Sequence, residues 1–203
     1  MRVFIIVLVL IFSLQSLTKA DDISDFEIEG MSIGDSLLDY YSEKVIKDNS
    51  RPLEIYEPFG WTTFSTKTSE LKSKLKQYAH VQIEYILNDK NYTIQAISGK
   101  ISLPNFSLDK CIKDGLKISS EIREVVGNDV IFQHDENVKT SADKSGKSIG
   151  DNKFYIFKDD SFISVRCVDW SDEVNFRDRL SVNIVSIEFR RIMKKAHPHH
   201  KKN

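Results

Sequence analysis

The residues from 30 to 41 read GMSIGDSLLDYY and contain two serines that match hydrolase motifs. Gly30 to Gly34 fits the pattern G-x-S-x-G, in which Ser32 occupies the nucleophile position. Gly34 also begins the string GDSL, in which Ser36 occupies that position. A serine attacks a carbonyl carbon only when a base takes its proton and a third group orients that base. Ser32 and Ser36 are therefore candidate nucleophiles that depend on a suitable histidine elsewhere.

The rest of the chain completes neither motif. Enzymes with the G-x-S-x-G turn contain a parallel sheet of alternating strands and helices, whereas the strand patterns here come as hairpins. In GDSL esterases the base comes from a D-x-x-H block, and no aspartate stands three residues before any histidine of this chain. The histidines are His80, His134, His197, His199 and His200.

We therefore interpret GMSIGDSL as a turn that leads into a helix. Gly34 would form the turn, and Asp35 or Ser36 would supply the side-chain oxygen that caps the free N–H groups of the helix. A GDSL-like serine esterase or lipase that uses Ser36 is the alternative function.

A second string, SADKSGKS from 141 to 148, ends like a phosphate-binding P-loop. Ser141 stands where the first glycine of that motif belongs, and the residues that follow are typical of a strand rather than of a phosphate-binding helix. These departures exclude a nucleotide site, and we predict no cofactor. What remains is a basic loop that could contact an anion through Lys144, Lys147 and Ser148.

The C-terminal string KKAHPHHKKN brings together His197, His199 and His200. Three imidazoles could bind copper, nickel or zinc weakly, which makes metal handling a second alternative function. Pro198 and the surrounding lysines instead favour a solvated tail from 197 to 203, without the hydrogen bonds that orient metal-binding histidines.

The N-terminus is typical of an export signal. Met1 and Arg2 provide a short positive start, an apolar run extends from Val3 to Phe12, and small residues follow up to Ala20. We predict cleavage after Ala20, which leaves residues 21–196 as one domain in an oxidising compartment. No later segment is apolar enough to span a membrane, so the mature chain is expected to be soluble.

The charge pattern argues against nucleic acid or anionic lipid as a partner. Without Arg2 and Lys19, the mature chain keeps 27 basic and 30 acidic residues, and the two signs are interleaved along it.

Hydrophobic periodicity predicts a hairpin over 81–103 with a bulge or break at Gly99, and further strands near 154–157, 162–170 and 180–184. Residues 128–152 are predicted to be mostly irregular, and the apolar residues 130–132 would allow one short strand at their start. Helices are predicted after the GDSL string, after Ser107 and near the C-terminus. This order indicates an α+β fold, with an antiparallel sheet of hairpins and a meander, and with helices packed on one face.

The chain has two cysteines, Cys111 and Cys167, and both lie at apolar positions of predicted elements. In an oxidising compartment such a pair permits one disulfide bond, whose loop would stabilise the fold by about 4 kcal/mol. The alternative is a pair of buried free thiols.

Four strings, FEIEGMSIGDSLLDYYSEKVI, AISGKI, SADKSGKS and VRCVDWSDE, resemble a family of small exported proteins of unknown function from marine alphaproteobacteria with reduced genomes. The resemblance extends from about Phe26 into the last predicted helix. It implies a periplasmic location and no particular activity. We therefore expect a periplasmic binding or interaction module without catalysis, whose partner would be another periplasmic protein.

Overall fold

A computed structural model describes residues 19–67, 69–140 and 143–196. The predicted signal segment up to residue 18 and the histidine tail from 197 to 203 lie outside the described residues. The described chain has an α+β architecture with an antiparallel sheet, which confirms the predicted fold class. None of its helices combines the length and the apolar character needed to cross a bilayer.

Ten strands and four α-helices follow one another along the described part of the chain. The strands are β1 (Glu27–Ile28), β2 (Met31–Ser32), β3 (Ser50–Arg51), β4 (Trp61–Ser65), β5 (His80–Ile86), β6 (Ala96–Ile101), β7 (Ile131–Lys139), β8 (Ile149–Ile156), β9 (Phe162–Asp169) and β10 (Arg179–Val185). The helices are α1 (Glu43–Asp48), α2 (Ser69–Lys72), α3 (Leu108–Val125) and α4 (Ile187–Ala196).

Eight of the strands form one sheet in the order β3-β4-β5-β6-β10-β9-β8-β7, and β1 pairs with β2 in a separate hairpin. Each neighbouring pair within the large sheet is antiparallel. Because successive side chains of a strand point to opposite faces, this order determines which residues share a face.

One face of the sheet is apolar and packs against α3. Its buried side chains include Phe64, Val81, Ile83, Ile97, Ile163, Val165, Leu180 and Ile184. Gly115 lets α3 approach closely, because a Cβ atom there would lie 3.4 Å from the side chains of both Val165 and Leu180. Ser107 caps the helix by accepting a hydrogen bond from the backbone N–H of Lys110, as the sequence predicts.

The opposite face is apolar only where α4 covers it, so helices lie on both faces of the sheet, whereas the sequence predicts them on one face. Phe189 of α4 packs with Trp61, Ala96, Phe162 and Val185, which come from four different strands. The rest of this face lies beyond the helix and is polar.

The prediction that residues 128–152 are mostly irregular is wrong. This segment supplies β7 and the first part of β8, which pair from Ile131 to Lys139 with one irregularity between Asp135 and Val138. β7 is the last strand of the sheet and most of its residues are exposed or half-buried, so it lacks the apolar alternation by which strands are recognised.

Two smaller predictions also differ from the structure. Gly99 forms no bulge, and the pairing of β6 runs through it unbroken. A side chain is excluded there because its Cβ would lie 2.4 Å from the ring of Tyr78. The helix predicted after the GDSL string is divided into a 3-10 turn, Leu37–Asp39, and α1, which Ser42 caps.

Cys111 of α3 and Cys167 of β9 form a disulfide bond, with a Cα–Cα distance of 5.8 Å. Both cysteines are buried, and the bond attaches the helix covalently to the centre of the sheet. The bridged alternative of the sequence analysis is therefore confirmed.

We expect the Cys111→Ala/Cys167→Ala double variant to lose about 4 kcal/mol of free energy of unfolding, because the bond closes a loop of 56 residues in the unfolded chain. Urea unfolding with and without a reducing agent measures this loss. The reducing agent should destabilise the wild type and leave the double variant unchanged. A wild type that is insensitive to reduction would contradict the structural role of the bond.

Candidate functional site

The two motif serines are held in a backbone turn. Ser36 donates its hydroxyl to the carbonyl oxygen of Asn91 at 2.6 Å and accepts the N–H of Leu38, so it caps the 3-10 turn. Ser32 donates its hydroxyl to the carbonyl of Phe26, and Gly34 adopts a positive φ of 94°. The interpretation of GMSIGDSL as a turn with a cap is confirmed.

Neither described histidine accompanies these serines. His134 bonds to Asp151 at 2.7 Å, beside a buried pair of Asp151 with Lys153. His80 bonds through Nε2 to the hydroxyl of Ser65 at 2.6 Å. The candidate nucleophiles Ser32 and Ser36 thus have no base within the part of the chain that the structure describes, and the histidine tail lies outside it.

The basic loop around 143–148 forms most of its hydrogen bonds within the protein, while Lys144 is exposed. Asp143 accepts hydrogen bonds from both the N–H and the hydroxyl of Ser148 and from the N–H of Ser145. These bonds, those from Ser148 first, hold the pKa of Asp143 well below its usual range. Ser148 is completely buried, and Lys147 pairs with Glu173. The loop is therefore closed by an aspartate where a phosphate loop would hold an anion.

A different group of residues meets on the part of the sheet that α4 does not cover. Directly paired residues of β5, β6, β10, β9 and β8 form two polar rows. One row comprises His80, Lys100, Ser181, Arg166 and Asn152, and the other comprises Gln82, Ser98, Asn183 and Ser164. Glu84 of β5 and Arg179 of β10 extend the same face, and we call these eleven residues the polar face.

Hydrogen bonds join the polar face across the strands. Asn183 is central in the second row, since it accepts from the hydroxyl of Ser98 at 2.7 Å and donates to Ser164 at 3.1 Å. In the first row, Arg166 donates its Nε–H to the side-chain oxygen of Asn152 at 2.9 Å. These side chains are buried or half-buried, so the network is largely removed from water but remains partly accessible to solvent.

The polar face concentrates positive charge. Lys100, Arg166 and Arg179 form no salt bridge with a carboxylate of the described residues. Burial lowers the pKa of both arginines, and the charge of Arg166 lowers that of Arg179 further. Burial, followed by the charges of Arg179 and Lys67, lowers the pKa of Lys100 to about 8. Charged groups are rarely buried without a partner, so this arrangement is unusual.

Glu84 is the one carboxylate of the polar face. It accepts hydrogen bonds from the hydroxyl of Thr63 and from the side-chain amide N–H of Gln82. The amide oxygen of Gln82 in turn accepts a hydrogen bond from the ammonium group of Lys100 at 3.2 Å. Burial raises the pKa of Glu84 to about 7, although these hydrogen bonds and the charge of Lys100 oppose the shift. At neutral pH this group therefore compensates the three cations only in part.

The Ser65–His80 pair lies at the margin of the polar face and has the spacing of a nucleophile and its base. Burial, and then the charges of Lys100 and other cations, lower the pKa of His80 to about 4. A proton taken from Ser65 would be held poorly on such an imidazole, and the charged residues that perturb it are all basic. The pair therefore lacks the acidic third member that serine catalysis requires.

Aromatic residues border the polar face at two places. Tyr56 packs against Phe189 with ring centroids 5.0 Å apart, and its phenol interacts electrostatically with Glu84 and Arg166. On the other side, the guanidinium of Arg179 lies 5.4 Å from the ring centre of Trp170. The indole Nε1 of Trp170 is buried without a hydrogen-bond partner in the described chain.

The sequence alone identifies none of the polar-face residues as a binding residue. Each strand does carry a signal, since polar residues alternate with apolar ones in HVQIEYI, FISVRCVD and RLSVNIV. This alternation marks a sheet with one polar face, but the order and register of the strands decide which polar residues meet.

Comparisons of the chain with models of protein families, with curated proteins and with solved structures find no match.

We expect the Glu84→Gln variant to show a flatter dependence of stability on pH than the wild type. The folded pKa of Glu84 lies near 7 and its ordinary value is 4.5, so the folded state holds this proton more tightly. The resulting stabilisation is complete below pH 4.5 and is lost as the pH rises through 7. Between pH 5 and pH 8 the wild type should lose roughly 2 to 3 kcal/mol more free energy of unfolding than the variant.

Chemical denaturation at a series of pH values measures this difference, and the exposed Glu188→Gln is the matched control, which should follow the wild type. Parallel curves for the wild type and Glu84→Gln would show that Glu84 titrates as an ordinary carboxyl group.

Proposed function

We propose that this protein is an exported, periplasmic binding module without catalytic activity, and that it binds a small polar ligand on the polar face. The observation that carries the proposal is the sheltered hydrogen-bond network across five central strands of the sheet. A ligand of small size can reach such a network because the residues of both rows remain partly accessible around Asn183, Lys100 and Arg166.

The energetics of the sheet support this proposal. Apolar side chains beneath a covering helix would stabilise these strands by about 25 cal/mol for each Å² of apolar surface that is buried. Apolar side chains do pack in this way beneath Phe189 of α4 on the same face. The part of the face that α4 does not cover is polar instead. Polar groups that are desolvated in the free protein are typical of binding sites, where stability is given up for recognition.

The absence of catalysis is proposed on two grounds. Ser36 serves as a cap and has no described base, and the Ser65–His80 pair is surrounded by cations. A non-catalytic module needs neither a nucleophile nor an acid of tuned pKa, whereas it does need fixed donors and acceptors such as those of the Asn183 row.

The disulfide bond supports the proposed compartment. Structural disulfides persist in oxidising environments such as the periplasm and are rare in the reducing cytosol. The buried Cys111–Cys167 bond between a helix and the central sheet is of this structural kind.

We expect a panel of small polar compounds, including amino acids, sugars, sugar acids and dicarboxylates, to contain members that raise the thermal midpoint of the purified protein. For each such compound, Asn183→Ala should weaken binding about fivefold to tenfold, because a buried network loses roughly 1 kcal/mol with each hydrogen bond. The exposed Asn88→Ala is the matched control and should bind as the wild type does.

Mass spectrometry of the recovered compound tests the absence of catalysis, since its mass should be unchanged after prolonged incubation. Turnover of the compound, or binding that Asn183→Ala does not affect, would refute the proposed function.

A further inference from the structure

Ser181 is the midpoint of the cationic group on the polar face. Its directly paired neighbours are Lys100 on β6 and Arg166 on β9, and Arg179 precedes it by two residues on the same face of β10. Neighbouring strands are about 4.8 Å apart, so the backbones of Lys100 and Arg166 are separated by about 10 Å. Ser181 carries the shortest side chain of this row and is buried between the long cationic side chains of its neighbours.

Glu84 compensates this cationic group only in part, and none of its three cations forms a salt bridge with the described residues. Arg166 gives its Nε–H to the neutral Asn152, Lys100 donates to the neutral Gln82, and Arg179 lies beside the ring of Trp170. Elsewhere the same chain pairs its partly buried cations directly, as Arg190 does with Asp160 at 2.8 Å and as Lys153 does with Asp151. The charge that Glu84 leaves uncompensated therefore has no salt-bridge partner among the described residues, and a ligand could supply one.

The groups next to the cations determine what else the ligand carries. The row of Ser98, Asn183 and Ser164 lies directly beside the first row and presents neutral hydroxyl and amide groups. Such groups both donate and accept hydrogen bonds, as sugar hydroxyls require, whereas an apolar ligand would leave the remaining donors and acceptors of the protein unpaired. A guanidinium has the planar fork of donors that matches a carboxylate or a phosphate group.

We propose that the polar face binds a small hydroxylated anion, such as a sugar acid or a sugar phosphate. Its anionic group lies above Ser181 between Arg166, Lys100 and Arg179, and its hydroxyl groups contact the row of Asn183. This inference rests on the proposed function and specifies the ligand class of the same site.

Isothermal titration calorimetry with four probes tests the inference on the mature protein with its disulfide intact. D-glucuronate and glucose 6-phosphate carry the two anionic groups, D-glucose lacks the charge, and inorganic phosphate lacks the hydroxylated body. We expect at least one of the two sugar anions to bind tenfold or more tightly than either glucose or inorganic phosphate. The preferred sugar anion then identifies the anionic group as carboxylate or phosphate.

Three variants locate the site. Arg166→Gln removes one cation, and Ser181→Val replaces the hydroxyl between the cations with a bulkier apolar side chain without changing charge. Each should weaken binding of the preferred sugar anion at least tenfold. Arg191→Gln, which removes an exposed arginine of α4, is the matched control and should bind as the wild type does. Arg166→Gln should also unfold at a temperature no lower than the wild type, because the charge it removes has no carboxylate partner in the described chain.

Several results would overturn the inference. Equal binding of glucose and the sugar anions would mean a neutral ligand and would leave the proposed function standing. If inorganic phosphate binds as tightly as glucose 6-phosphate, the hydroxyl groups of the ligand contribute nothing to binding, and the inferred ligand class is wrong. An equal loss of binding in Arg191→Gln, or no binding of either sugar anion to the wild type, would refute the anion site. A loss of stability in Arg166→Gln would make that arginine structural.

Discussion

The pairing of eight antiparallel strands is the constraint on which the rest of the structure depends. Because side chains alternate between the faces, one register both buries the apolar residues beneath α3 and gathers the polar ones on the opposite side. A shift of β10 by one residue would place Ser181 and Asn183 in the core and expose Leu180, Val182 and Ile184. The core thus fixes the register, and the register in turn fixes the geometry of the polar face.

The two faces make opposite demands on the same strands. On the apolar face, a disulfide bond joins α3 to β9, which is also the strand that carries Arg166. Cys167 and Arg166 are neighbours in sequence and point to opposite sides, so the bond anchors the backbone that positions the guanidinium. A rigid backbone keeps cations that repel one another in place, and the ligand that we propose would meet a site that is already organised. The stability supplied by the apolar face offsets the cost of the polar one.

The sequence was informative where a signal is local. The apolar stripe and cap of α3, the inward positions of both cysteines and the antiparallel sheet follow from periodicity and from capping residues such as Ser107. The sequence did not predict most of β7, because this exposed edge strand lacks apolar alternation. It did not predict the first part of β8, because the charged residues Asp151 and Lys153, which form a buried pair, are typical of a polar loop. The polar face was beyond reach for a different reason, because Lys100, Arg166 and Arg179 are far apart in the chain and only the strand order 6-10-9 joins them. Conversely, the motif serines Ser32 and Ser36 match hydrolase patterns because a four-letter match is a local signal, and in the structure they stabilise a local turn.

We propose that Glu84 compensates the cations around Ser181 only in part and that a bound anion supplies the missing charge, and the titration of Lys100 tests this most directly. The ¹³Cε resonance of this lysine, assigned by comparison with Lys100→Arg, reports its pKa in the free and in the ligand-saturated protein. We predict a pKa of about 8 in the free protein, and a rise towards the ordinary value of 10.5 when a sugar anion binds. A pKa that is ordinary in the free protein, or that does not rise when the anion is added, would contradict the account.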